Sequence, residues 1–464
     1  MNQGFLLEND TAKNLYAAVA DLPILDYHCH LNPQQIYQDK PFESAGELIF
    51  GQDHYKWRLM RSAGIAEEYI TGNAAPQEKF RAYARALSRS VGNPLVDFTA
   101  LELYHFFGIE ERLREDNAAQ IYMQVEKKIL SEKLSPQKIV QHAGVTLIAT
   151  TDDPVDSLQW HEKLAASAWK VRVIPSFRTD RLFAFEREYL TELGDVAKIK
   201  ICSLQDLEQA LARRLTFFRA HGCLFSDVGI ENFPKTIATQ AQAEQIFSAI
   251  YHGKTCTQAQ YDALSGWLFV RLGVLYRQQG ICMQWHMAVK RNTCQRLYQQ
   301  YGADCGADSM GEAVSVESIA HLLNAIEQTA DAKGQKDLPY TILYCLNPSM
   351  RDAMCSLAAS FRNVHCGAAW WFLDHRQGIW DTLASCAQAG SLSAFPGMLT
   401  DSRSYLSYAR HDFFRRILCS FLAQYVQDGT AAWEDVLQLA KMLCYENMHH
   451  LISTSNKNEE KKKK

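Results

Sequence analysis

A chain of 464 residues, 47% hydrophobic and 22% charged, has the composition of a globular protein with room for one large core and an added subdomain. Its formal net charge of −4, with both signs interspersed, argues against a nucleic-acid partner, and no apolar run approaches the roughly 18 residues of a membrane span. The thirteen cysteines include no CxxC pair, so neither a disulfide framework nor a cysteine zinc site is expected, and the thiols read as small core residues in a reducing compartment. The charged opening segment has no apolar leader region, so the expected localisation is cytoplasmic.

In chain order, short β-rich apolar runs recur, and several end in polar residues. Residues 24–27 lead into His28, Cys29 and His30; 145–149 end in Thr150, Thr151, Asp152 and Asp153; 171–175 end in Ser176, Phe177 and Arg178. Residues 223–225 run into Ser226 and Asp227, 281–285 into His286, and 342–346 into Asn347 and Pro348. Residues 364–369 end at Trp370 and Trp371, and 395–399 at Thr400, Asp401, Ser402 and Arg403. Eight strands separated mainly by helical spacing predict an α/β fold with a parallel sheet, and that number favours a closed (β/α)8 TIM barrel. No glycine-rich phosphate loop follows any strand.

The first interval is far longer than one crossover helix requires. With helical patterns at 77–91 and 117–133, it reads as a mainly helical insertion after the first strand, beside the barrel mouth. Residues 239–280 also read as helical. The expected organisation is an N-terminal helix and first strand over 1–32, the insertion over 33–140, the rest of the barrel over 141–454, and a disordered charged tail over 455–464.

His28 and His30 stand two apart at a strand end, so both side chains leave one face and can hold a divalent ion; alone, such a pair also fits hydrogen-bonded core histidines. Asp401 ends the eighth run, which adjoins the first once a barrel closes, and supplies a third ligand while leaving coordination positions open. No lysine follows the fourth run, which favours a single metal over a bridged pair. His54 and Tyr55, inside the insertion, are candidate acid/base groups on a lid, or else packing residues. Arg178, Arg291 and Arg403 suit a carboxylate-bearing substrate, and Trp370 with Trp371 could wall a sugar.

Together LDYHCHL, GxDHYKWR, VGNPL, TTDDPxDSL, ILYCLNP and GMLTDSRS resemble the glucuronate (uronate) isomerase family, from about residue 5 to about 450. The resemblance implies a divergent member of the amidohydrolase superfamily with a (β/α)8 fold, interconverting D-glucuronate with D-fructuronate and D-galacturonate with D-tagaturonate. It implies His28, His30 and Asp401 as ligands of one divalent ion, expected to be zinc. His54, Tyr55, Arg178, Asp227, His286, Arg291, Trp370 and Arg403 match positions lining the substrate pocket. In one departure, Val228 follows Asp227 where the family often has histidine, which puts full activity or metal affinity in doubt. The expected partner is a hexuronate, with no nucleic acid or membrane and with a homo-oligomer left open. The competing reading is a metal-dependent hydrolase of the amidohydrolase type using the same ligands.

Overall fold

The computed structural model describes residues 4–463, apart from 52 and 232. The architecture is α/β with helices dominant. Strands β1 (Ile24–Asp26), β2 (Val145–Asp152), β3 (Arg172–Arg178) and β4 (Phe225–Asp227) pair in that order as one parallel sheet. The next five are β5 (Met283–Met287), β6 (Val289–Lys290), β7 (Ser309–Met310), β8 (Thr341–Cys345) and β9 (Val364–Cys366). β5, β8 and β9 form a second parallel sheet, and β6 with β7 an antiparallel ribbon. Isolated parallel bridges, Phe225 to Cys282 and Val228 to Trp285, connect β4 with β5. β2 is buried almost throughout, as a parallel strand covered on both faces must be.

Seven of the eight expected strands are present, with shifted ends. β4 begins two residues late because the Cys223 amide is used to close the preceding helix, donating to the Phe218 carbonyl at 3.1 Å past Gly222 in the left-handed region. The eighth run, 395–399, is not a strand among the described residues. Pro396 offers no ladder donor and Gly397 has φ +92°, so the segment passes without regular pairing. It nonetheless lies beside β1 at its far end. The Asp401 amide donates to the His28 carbonyl (3.1 Å), and the His30 amide donates to the Ser402 carbonyl (3.0 Å). Just before them, the Asp26 carboxylate accepts from the amide and hydroxyl of Thr400, at 2.9 and 2.6 Å.

Between β1 and β2 the chain is helical: Pro33–Gln38, Ala45–Phe50, His54–Ser62, Pro76–Ser88, Pro94–Glu102, Ala118–Glu132 and Pro136–His142. Four of these begin with proline, whose fixed φ suits a first turn and whose missing N–H is no loss there. Residues 239–280 form Gln240–Tyr251 and Gln258–Gln279, each opened by a capping box, Thr239 with Gln242 and Thr257 with Gln260. The helix Asp10–Val19 packs on the long helix Ala409–Gln427, within an apolar cluster that includes Leu15, Phe413 and Ile417. Asp412 fastens that contact, accepting from the Tyr16 hydroxyl (2.5 Å) and Arg416 Nε (2.9 Å) and lying 2.7 Å from His105 Nε2.

The last helix is Asn447–Lys463, so helical backbone occupies most of the segment expected to be a disordered tail. Residue 464 lies outside the described residues. Among the described residues, no helix is long and apolar enough to cross a membrane.

Candidate active site

A cleft of roughly 760 Å³ opens at the C-terminal ends of the strands. Of the residues singled out from sequence, His28, His30, His54, Tyr55, Arg178, His286, Arg291, Trp370, Asp401 and Arg403 all line it. Asp227 does not; it lies buried, joined to two residues that do.

β1 and the end of the 395–401 segment bring the first cluster together. Asp401 Oδ1 lies 3.1 Å from His28 Nε2 and 2.9 Å from His30 Nε2. Asp401 Oδ2 accepts the indole N–H of Trp370. The Asp401 backbone has φ +43°, a left-handed conformation costly for a non-glycine residue and characteristic of functional sites. Burial would raise the Asp401 pKa, but hydrogen bonds from His28 and His30 outweigh it and hold the carboxyl well below its usual range. His30 Nδ1 is 2.8 Å from the Thr151 hydroxyl, which can accept its proton in the alternative tautomer that gives up the Nε2 hydrogen bond to Asp401 and frees that nitrogen for an ion. Burial lowers the His30 pKa to about 4, so this ring is neutral. Burial also pulls His28 down, but Asp227 and Asp401 push it above its ordinary value. Two imidazole nitrogens and a carboxylate oxygen within 4.8 Å of one another are a donor set that fits a divalent ion.

A second cluster stands directly behind. Asp227 Oδ1 is 2.7 Å from His286 Nδ1, and Oδ2 accepts from Arg178 Nη1 at 2.6 Å. Burial raises the Asp227 pKa, but the Arg178 charge, with His28 and His286, drives it far below the carboxylate range. His286 stacks on Tyr344 and on His28, with ring centroids 4.4 and 4.6 Å apart, and its buried Nε2 has no protein partner. Burial lowers the His286 pKa despite Asp227.

The helix His54–Ser62 enters from the segment between β1 and β2. Its N-cap, Asp53, accepts from the amides of Tyr55 (3.1 Å) and Lys56 (3.2 Å), fixing the turn that presents His54 and Tyr55 to the cleft. Their rings stack on each other and contact Trp371, while the Arg410 guanidinium lies 4.6 Å over the Tyr55 ring. Burial lowers the His54 pKa and raises that of Tyr55, so both are neutral.

Each arginine expected to bind a carboxylate has an acidic partner of its own. Arg178 gives Nε and Nη2 to Asp180 Oδ2 (3.0 and 2.7 Å) and Nη1 to Asp227. Arg291 gives Nη1 to Asp308 (2.9 Å) and lies 5.3 Å over the Trp371 ring; Arg403 gives Nη2 to Asp304 (2.8 Å). Asp180, Asp304, Asp308 and Thr151 therefore belong to the cleft although sequence reasoning did not select them. Thr151 was visible at a strand end, but Asp304 and Asp308 sit in a connection with no motif of their own. Trp370, expected as a sugar wall, is buried and serves Asp401; Trp371 is the ring facing His54, Tyr55 and Arg291. Val228 lies in the apolar cluster with Phe233 and Trp285, outside the cleft lining.

A cleft with a convergent imidazole–carboxylate set, opposed by arginines and placed at parallel strand ends, defines an α/β enzyme for a small anionic substrate. The sequence profile described as "Glucuronate isomerase" matches residues 1–452. The chain is 39% identical over 461 residues to the uronate isomerase of Streptococcus uberis, covering 96% of this chain and 97% of that one. It is 40% identical over 441 residues to the Vibrio vulnificus uronate isomerase, covering 92% and 93%. The crystal structure of the Thermotoga maritima uronate isomerase superposes with a TM-score of 0.91 at 30% identity, covering 97% of this chain and 99% of that one. The chain belongs to the glucuronate isomerase family and is an aldose–ketose isomerase acting on a sugar acid.

Proposed function

We propose that this cleft interconverts D-glucuronate with D-fructuronate and D-galacturonate with D-tagaturonate by proton transfer through an enediol. The observation that supports it most is the Asp401 carboxylate, held ionised between two imidazoles in a cleft that arginines also line. His28, His30 and Asp401 are the residues that would hold one divalent ion, for which their ligand chemistry favours zinc. That ion supplies Lewis-acid stabilisation of negative charge on the substrate oxygens.

The chain's own groups do the rest. Asp401 removes the C2 proton, the step that requires a placed base. Tyr55, kept neutral by burial, donates a proton to the enediol oxygen, and the neutral imidazoles of His54 and His286 relay protons among the sugar hydroxyls. Arg291 and Arg403 hold the C6 carboxylate, which fixes which carbon faces the base. Arg178, committed to Asp180 and Asp227, lines the pocket and holds Asp227 against His286.

In the same reading the two sheets and the 395–401 segment close as an eight-unit (β/α)8 barrel, residues 33–140 form a helical insertion at its mouth, and the protein works in the cytoplasm. Turnover in deuterium oxide tests the chemistry. Proton transfer places deuterium at C1 of the ketose, because the abstracted proton can exchange before it returns. Complete transfer of the original C2 hydrogen to C1, with no solvent label at any conversion, would establish a hydride shift and reject the enediol.

A further inference from the structure

Away from the cleft, three thiols converge. Cys355 stands in the helix Arg351–Ala358, Cys366 ends β9, and Cys386 stands in the helix Arg376–Ala389. Their sulfurs all lie within 4.8 Å of one another, with Cys355 Sγ 3.5 Å from Cys386 Sγ. A disulfide would need about 2.05 Å and would leave the third thiol out. Sulfurs bound to one ion at about 2.3 Å sit roughly 3.8–4.0 Å apart, close to the separation seen here.

Cys355 is buried and the other two are half-buried, yet a groove of roughly 210 Å³ lined by all three opens to solvent, with Arg362 and His365 on its walls. Hydrogen bonds from the S–H groups of Cys366 and Cys386 lower the Cys355 pKa below the ordinary thiol range, while sharing with the Cys355 sulfur raises theirs. No fourth Cys, His or carboxylate joins this set among the described residues. His365 instead stacks on Tyr340, with centroids 4.4 Å apart. Structural zinc takes four protein ligands and hard cations take oxygen, so neither suits the trio. Soft thiolates select soft ions, and Cu(I) is content with three ligands.

We infer that Cys355, Cys366 and Cys386 form a binding site for one soft thiophilic cation, Cu(I) in three-coordinate thiolate form, separate from the catalytic cleft. Binding exchanges the remaining thiol protons for the ion and involves no electron transfer. It would join β9 to the two helices that cover it, four residues before Trp370.

The reduced full chain should be titrated anaerobically with Cu(I) held by bathocuproine disulfonate, following loss of the probe's colour. Wild type should withdraw about one Cu(I) per chain. Cys366→Ser and Cys386→Ser should each withdraw none, while His28→Asn should still withdraw one. In the wild type, which avoids any question of variant folding, bound copper should shield these three cysteines from N-ethylmaleimide in peptide mapping. Equal copper uptake by wild type and the two serine variants would overturn the site, as would shielding of other cysteines in place of these.

Discussion

Two buried charge networks stand next to each other in this molecule and differ in how completely they are closed. In the helical region between β1 and β2, Lys56 is fully buried, and its ammonium reaches Glu102 at 2.8 Å, Asp53 at 3.2 Å and the Ile49 carbonyl at 3.3 Å. Those three partners match the three N–H groups of an ammonium. In the cleft, Asp227 is buried, Asp401 is half-buried and both are ion-paired, but among the described residues His28 Nδ1 and His286 Nε2 have no partner, and Asp401 keeps a left-handed backbone. The first network encloses its ammonium among protein groups, with Asp53 Oδ2 held in an ion pair rather than a hydrogen bond, and fixes the helix that carries Tyr55. The second borders a cleft with two imidazole nitrogens that no described residue satisfies, and that difference separates architecture from a candidate site.

The largest expected effect lies in the open network. Asp401→Asn removes the proposed base and one proposed ligand, so kcat/KM should fall about 10²–10⁴-fold, with loss of bound metal by elemental analysis. An Asn variant that kept wild-type turnover would remove Asp401 from the chemistry. The closed network should respond in stability instead. Lys56→Met leaves Glu102 and Asp53 buried without their cation and should cost about 3–5 kcal/mol in urea unfolding. Replacing the pair together, Lys56→Met with Glu102→Leu, should recover part of that loss, since it removes the Glu102 charge while Asp53 keeps the two amides that it caps. No apolar double replacement in the cleft should recover activity, and finding one would collapse the distinction.

Smaller effects sharpen the comparison. Arg291→Met and Arg403→Met should each lose about 1.5–3 kcal/mol of transition-state binding, read as kcat/KM for glucuronate. Full kcat/KM in both variants would move the carboxylate contact elsewhere. Asp412→Asn should cost about 1 kcal/mol at neutral pH. Burial raises the Asp412 pKa, but His105, Arg416 and Tyr16 outweigh it and depress the folded-state value. The wild-type advantage should therefore be full above the unfolded carboxylate value of about 3.9 and vanish as pH falls through the lower folded value. Unfolding midpoints from pH 7 to pH 3 that stayed parallel would contradict it.

Much of this was legible in the residues. Seven apolar runs gave strands because buried parallel strands are continuous apolar segments, and the helical spacing at 77–91 and 117–133 gave Pro76–Ser88 and Ala118–Glu132. The eighth run misled because Pro396 and Gly397 break the ladder while leaving the run apolar. His28, His30 and Asp401 were readable from their places at strand ends. The acids paired to Arg291 and Arg403 were not, since Asp304 and Asp308 reach the cleft from a connection whose path only tertiary structure defines. The thiol cluster was hidden for a related reason: spacing reveals a cysteine site only when one segment supplies the ligands.

The grip of Asp26 on Thr400 also governs when the site can exist. The Asp401 carboxylate is positioned by a strand near the beginning of the chain, and helix Asp10–Val19 packs mainly on Ala409–Gln427. Contacts between such distant parts of a sequence form late, because the intervening loop must be closed first. During synthesis β1 can pair with β2 once residue 145 has emerged, but helix Asp10–Val19 must wait for residue 409 with apolar surface uncovered, a state prone to aggregation. A ribosome that stalls before Asp401 emerges would therefore leave a chain with neither a catalytic centre nor a finished hydrophobic core.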